Sequence, residues 1–280
     1  VIIVRSRKVS PIEQVAVHGL LIIWLLISVI PFVWMLSTSF KGPGEIFIFP
    51  PRWIPRNPTF NNYIDLFQNM NFGRPFLNSV IVSLSTTFLS VLVATMAGYG
   101  FAKFHFKNKN LLFLFILGTI MVPGQITMIP VFLLLSRLNL LNTYWGLILP
   151  AIANAFNIFF MRQYIMGVPD ELIEAAKMDG AHEGWIFFRI ILPLARPAMA
   201  AITIFTFTGS WNNFLWPLII ATDESMYTLP VAVSVLGGQY TENIAMQMAG
   251  SVIVILPLII VFLFTQRYFI KGITFTGMKG

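Results

Sequence analysis

The 280 residues include no cysteine, which removes disulfides, thiolate metal sites and cysteine nucleophiles together. Charge is scarce too. Only 10% of the residues are charged and 57% are hydrophobic, with a mean hydropathy of +0.79; soluble domains carry about 25% charged residues. Water is therefore not the main solvent of this chain, and a polytopic membrane protein is the composition class that fits. The long apolar runs contain no Asp or Glu. Ion-coupled secondary transporters place acids or histidines inside their spans as relays, so that class is disfavoured. His18, His105 and His182 stand far apart without ligand spacing, which gives neither a metal site nor the clustered constellation of a membrane enzyme. The dipeptide Gly-Lys occurs nowhere. A phosphate-cradling loop needs it, followed by Ser or Thr, so ATP would have to be hydrolysed by another subunit.

What is present is a series of six uncharged apolar runs: 14–40, 75–102, 111–136, 138–161, 197–222 and 243–266. Each matches the roughly 20 residues needed to cross the hydrocarbon, or more with tilt. The first run is longer than the ~7–15 residue core of a secretory signal and lacks small residues at a cleavage site, so it is expected to be a retained helix with a kink at Pro31. Residues 41–74 hold Pro43, Pro50, Pro51, Pro55 and Pro58, which predicts an extracytoplasmic loop with one short helix near Asn61–Asn69. The second run is dotted with Ser79, Ser83, Ser85, Thr86, Thr87, Ser90, Ala94, Gly98 and Gly100, small residues that let helices approach closely. Lys103, His105, Lys107 and Lys109 form a basic loop after it. The run 111–136 is read as a proline-kinked span, and Asp223–Glu242 as a polar loop.

The net charge of +7 lies in short clusters beside apolar runs, a topology pattern rather than a nucleic-acid patch. Thirteen of the 18 Lys and Arg fall in the N-terminal tail, the 103–109 loop, the 162–196 segment and the C-terminal tail; Lys41, Arg52, Arg56, Arg74 and Arg137 are the other five. The positive-inside rule then puts both termini in the cytoplasm. The expected architecture is all-α: a single domain over 1–280 with a core of about 75–270, about six transmembrane helices, and a cytoplasmic segment at 168–193.

That segment carries five acids and two bases between apolar runs. A charge at the bilayer centre costs about 2.5–3.5 kcal/mol, so the segment must lie outside the membrane. Pro169 suits a first helical position, and Asp170 and Glu171 complement the helix dipole. Leu172, Ala175 and Ala176 share a small apolar face at i, i+3, i+4. Gly180 is placed to end this helix in a left-handed conformation. Trp185, Phe188 and Leu192 give a second arm an aromatic face, and Pro193 is expected to stop it.

The pattern Glu174-Ala175-Ala176, three residues, Gly180, nine residues, Ile190, one residue, Leu192-Pro193 resembles the cytoplasmic signature loop of ATP-binding cassette importer permeases. Asp179 is the acid usual before the glycine. His182 stands where Ser or Thr is common, so either the second arm starts less sharply or Glu183 caps it. The likeness covers almost the whole chain and is best for the shorter partner of the maltose-type sugar permeases, through Trp211-Asn212-Asn213-Phe214-Leu215-Trp216-Pro217-Leu218, Gln266-Arg267-Tyr268-Phe269 and the tail Lys271-Gly272-Ile273-Thr274 with Lys279-Gly280. Phe275-Thr276-Gly277-Met278 departs from that subgroup's small residues.

The resemblance implies a subunit of a carbohydrate importer in the bacterial cytoplasmic membrane. Its implied partners are a second homologous permease, a dimer of ATPase subunits that hold ATP and Mg, and an extracytoplasmic sugar-binding protein; this chain itself would hold no cofactor. Glu174, Ala175, Ala176, Asp179, Gly180, Ile190, Leu192 and Pro193 would form the coupling segment, with Glu174 offering a charge-assisted contact to a basic group on the ATPase. For the substrate path, Asn154 and Asn157 share a face at i, i+3, Asn212 and Asn213 lie in the fifth run, and Trp211 and Trp216 offer flat stacking surfaces. The alternative for these six residues is structural: amides glue membrane helices together and tryptophans line the interface. A permease for phosphate or peptides is the alternative within the family.

Overall fold

The computed structural model describes residues 10–68, 71–239 and 243–276. The bases of the N-terminal tail (Arg5, Arg7, Lys8) and the terminal Lys279-Gly280 lie outside the described residues, as do the side chains of 265–276. Among the described residues every regular element is helical. Three helices are long and apolar enough to cross a membrane, and three bent helix pairs meet the same criterion together, giving up to six spans. The described residues form two compact units, 10–68 with 236–239 and 243–253, and 71–235 with 254–276.

In the first unit, α1 (Pro11–Ser39) starts on a capping box. Ser10 Oγ accepts from the Glu13 N–H, and the Glu13 carboxylate accepts from the Ser10 N–H, which satisfies two orphan amides at once. Pro31 sits inside this helix without ending it. Apart from Ser28, the α1 side chains over residues 20–33 are apolar, and they are exposed on all sides, as suits a helix whose solvent is lipid. The proline-rich connection is ordered by polar contacts to the helix end: Asn62 Nδ2 donates to the Ser39 and Lys41 carbonyls, both at 2.9 Å. The backbone amides of Arg56 and Asn57 donate to the Glu45 carboxylate. Phe40, Phe60 and Tyr63 cluster their rings, and the expected short helix is α2 (Asn61–Gln68).

The second unit is built on α3 (Gly73–Lys103). Ser79, Ser83, Thr86, Thr87, Ser90, Ala94 and Gly98 are buried along it, a stripe of small side chains that lets neighbouring backbones come close. Against it pack α7 (Ala155–Met166), α11 (Arg196–Trp211) and α6 (Tyr144–Ile152). The closest approach is at Gly98, where a Cβ would stand 2.8 Å from Met161 Cβ and 2.9 Å from the Arg162 amide nitrogen. Asn157 on α7 ties three helices, donating to Ser90 Oγ at 3.1 Å and to Thr206 Oγ1 at 2.8 Å. Asn78 makes a second knot. Its amide donates to the Ser225 and Tyr227 carbonyls and its oxygen accepts from Tyr144 OH.

Several expectations need correction. Lys103 belongs to the last turn of α3 rather than to a loop. The run 111–136 is broken rather than kinked within one helix; it is α4 (Lys109–Ile120) and α5 (Gly124–Arg137), bent by 103° at the break. Pro123 causes the break, because proline excludes the preceding residue from helical backbone; Pro130 is accommodated inside α5. The run 138–161 gives α6 and α7 with a 44° bend between them, α7 reaching Met166. The run 197–222 gives α11 and the short α12 (Leu215–Ile220). Residues 223–242 are not all loop: α13 (Leu229–Gln239) begins with Pro230 in its first turn, where proline is tolerated, and Leu229, Val231 and Ala232 are buried. The last helix, α14 (Ile244–Thr276), continues ten residues past Gln266.

Candidate functional site

The acidic segment folds as two arms around a glycine. The first, α8 (Asp170–Met178), has Asp170 and Glu171 in its first turn and Lys177 in its last, complementing the helix dipole at both ends. Gly180 follows with φ +80°, the left-handed conformation expected, and the Ala181 amide closes back on the Ala176 carbonyl at 2.9 Å. The second arm is α9 (Glu183–Ile186), a π-helical stretch at Phe187–Ile191 and α10 (Leu192–Leu194). Pro193 does not stop this arm, which runs on through Leu194. The turn falls after Leu194, with a 76° bend into α11.

His182 is the N-cap that the sequence left open. Its Nδ1 accepts from the Trp185 N–H at 3.3 Å, the bond a Ser or Thr oxygen would make. Glu183 does not cap; one carboxylate oxygen meets Lys177 Nζ at 2.7 Å and the other accepts from Tyr99 OH at 2.9 Å. The Lys177 ammonium, with help from Tyr99, holds the Glu183 carboxyl below its ordinary pKa. Lys103 likewise lowers Asp170 through a 2.6 Å hydrogen bond.

The two faces of the arms are now distinct. Ile173, Ala176, Ile186, Phe187 and Ile191 are buried against the helices. Ile173 is the inward anchor that spacing alone did not single out. On the other face, Trp185 and Phe188 are 46% and 60% exposed. Between the arms opens a cleft of about 630 Å³ lined by Leu172, Ala175, Ala176, Asp179, Gly180, Trp185 and Ile190 among others. Glu174 and Asp179 are exposed and make no hydrogen bond or ion pair among the described residues. Leu192 and Pro193 are half-buried and do not line the cleft, Leu192 packing instead against the buried cluster that includes Ile186 and Ile191.

A second concavity, about 270 Å³, lies among α3, α6, α7, α11 and α12. Asn154, Asn157, Asn213 and Trp216 all line it, so four of the six expected path residues converge. Their polar groups are largely committed. Asn154 caps α7, its Oδ1 accepting from the Asn157 N–H; Asn213 accepts from the Trp216 N–H; Trp216 Nε1 donates to the Gly146 carbonyl. Trp211 and Asn212 do not reach the cavity. Trp211 is 2% exposed, stacked on Phe207, with Nε1 donating to the Val254 carbonyl at 2.9 Å. Sequence reasoning missed Phe156 and Phe205, which are 46% and 51% exposed on the cavity wall. It also passed over Thr86, whose buried Oγ1 has no hydrogen-bond partner there.

Residues 90–275 match the family described as the binding-protein-dependent transport system inner membrane component. The chain belongs to this family. As a membrane-spanning permease subunit it has full-length relatives. The arabinooligosaccharides transport system permease protein AraQ of Halalkalibacterium halodurans is 40% identical over 98% of this chain and 100% of that protein. The diacetylchitobiose uptake system permease protein NgcG of Streptomyces coelicolor is 36% identical over 89% of this chain and 84% of that one. Among solved structures, a bacterial ABC transporter involved in the import of the acidic polysaccharide alginate superposes with a TM-score of 0.82. It is 25% identical and covers 92% of this permease and 96% of its own chain.

Proposed function

We propose that this permease is one half of the translocation path of an ATP-driven carbohydrate importer in a bacterial cytoplasmic membrane, with both termini and the 168–193 segment in the cytoplasm. Its assembly comprises a second homologous permease, a dimer of ATPase subunits that carry ATP and Mg, and an extracytoplasmic sugar-binding protein. The observation that carries the reading is the open cleft of the helix–Gly–helix. Small residues, Ala175 and Gly180, line it with the Asp179 carboxylate and the exposed Trp185 ring, and Glu174 and Phe188 stand exposed on the same two arms.

Such a cleft admits close backbone approach and offers charge-assisted contacts to basic groups on an ATPase. Closure of the ATPase pair would displace the segment and rock the permease between inward- and outward-facing states. Carbohydrate as cargo is supported by the oligosaccharide relatives and by the cavity. Exposed aromatic rings beside a few polar groups are the usual lining of a small-molecule site, and Thr86 Oγ1 is a hydroxyl in want of a partner.

The test is uptake of labelled arabinooligosaccharides and chitobiose derivatives into vesicles holding the whole transporter, beside its ATPase rate. ATP-dependent uptake of an oligosaccharide is the expected result. Uptake of phosphate or peptides with no response to any sugar would replace this reading with the other cargo classes. Single cysteines placed in this cysteine-free chain report the topology: position 174 should react with a membrane-impermeant thiol reagent only from the cytoplasmic side.

A further inference from the structure

We infer that Tyr99 and Lys103 are positioning residues that clamp the coupling segment onto α3, so that the segment and the cavity wall move as one body. The inference rests on the permease reading above and adds the route by which movement at the cleft would reach the cargo.

The two side chains stand one turn apart on the same face of α3, at i and i+4. The Lys103 side chain is only 8% exposed, and its ammonium donates to the Val168 carbonyl at 2.5 Å and to Asp170 at 2.6 Å. It therefore holds the entry to α8. Tyr99, buried, donates to Glu183 at the start of α9. The other Glu183 oxygen takes Lys177 in the last turn of α8. Two sets of contacts from α3, Lys103–Asp170 and Tyr99–Glu183–Lys177, thus fix both ends of the first arm and the beginning of the second around Gly180.

An exposed ion pair alone would count for little. Here the Lys103 ammonium also satisfies a backbone carbonyl, and the Tyr99 hydroxyl acts on a carboxylate, the stronger class of hydrogen bond. Sliding of α3 is blocked nearby. Gly98 lies against Met161, and Arg162 Nε donates to the Phe101 carbonyl at 3.2 Å. From Tyr99 the helix runs unbroken to Thr86 and Val82 on the cavity wall, about 20 and about 25 Å away at 1.5 Å per residue. A packed helix of this kind passes on a displacement, where a hinged loop would absorb it.

The absence of cysteine makes the test clean. Spin labels at Phe88→Cys and Glu171→Cys, both exposed, report the distance between α3 and the first arm by pulsed electron resonance. The labelled full chain is measured in lipid nanodiscs alone and in the whole transporter, without nucleotide and with a non-hydrolysable ATP analogue.

The doubly labelled parent should give one narrow distance distribution, the same in every state. Adding Tyr99→Phe with Lys103→Gln should broaden it and lower uptake per ATP hydrolysed by about tenfold, a usual size for coupling between sites. Lys103→Arg, which keeps donors for both the Val168 carbonyl and Asp170, should retain both readouts where Lys103→Glu loses them, which separates the clamp from general misfolding. Two results would overturn the clamp: a parent distance that shifts by about a helical turn when nucleotide binds, or unchanged distributions in the Tyr99→Phe/Lys103→Gln variant. If the parent transports no sugar, the permease reading fails by itself, and the nanodisc distributions still decide the clamp.

Discussion

Gly180 shows how much one backbone angle carries. Nothing lies within 4 Å of where its Cβ would stand, so a Cβ there would meet no clash. The cost at the backbone is conformational, since φ +80° is strained for residues with a Cβ. That cost is about 1–3 kcal/mol for most residues and smaller for Asn, which tolerates the left-handed region. Gly180→Leu is therefore expected to loosen the bend and Gly180→Asn to keep it, read by hydrogen exchange of the amides of 175–186. Equal protection in both variants would mean the bend is held by the clamp rather than by the glycine. The cavity yields the other residue-scale prediction. Phe156→Ala and Phe205→Ala should each raise the KM for sugar uptake by about tenfold, as loss of an aromatic anchor does. Trp211→Phe should leave the KM unchanged, because that ring is buried outside the cavity.

Elements here are joined by close approach and by a few charged or amide knots. Gly98→Ala pushes a methyl to 2.8 Å from Met161 Cβ, overpacking the α3–α7 seam at a cost of about 1–3 kcal/mol. Gly100→Ala, which meets nothing within 4 Å, should cost little; the two melting temperatures in detergent check the contrast. The Lys177–Glu183–Tyr99 contact is pH-dependent. The Glu183 pKa is lowered, chiefly by its bond to Lys177. Its stabilising contribution is therefore complete above the ordinary glutamate pKa and is lost as the pH falls through the lowered one. Acidification should release protection of the α8–α9 amides, and Glu183→Gln should show the released state already at neutral pH. Protection that is the same for both at neutral and acid pH would contradict the role given to Glu183.

For the whole molecule, the sequence by itself determined the membrane class, the number of apolar runs and the place of the charged helix–Gly–helix segment. These depend on one-dimensional quantities: the length of charge-free stretches, the placement of acids, and seven fixed positions between Glu174 and Pro193. The Gly180 bend was legible for the same reason, because a glycine at a helix C-terminus carries its own backbone preference. Tertiary structure decided what periodicity cannot see. Which of Trp211, Trp216, Phe156 and Phe205 face a cavity depends on how α3, α6, α7, α11 and α12 close around it. The 103° break at Pro123 rather than Pro130 and the burial of α13 depend on neighbours distant in sequence. His182 as a cap and Glu183 as the link to Tyr99 reverse the roles local pattern offered them. Contacts that span 84 residues, as between Tyr99 and Glu183, leave no trace in spacing. They exist because small residues let α3 and α7 pack closely enough to bring the helix–Gly–helix segment against α3.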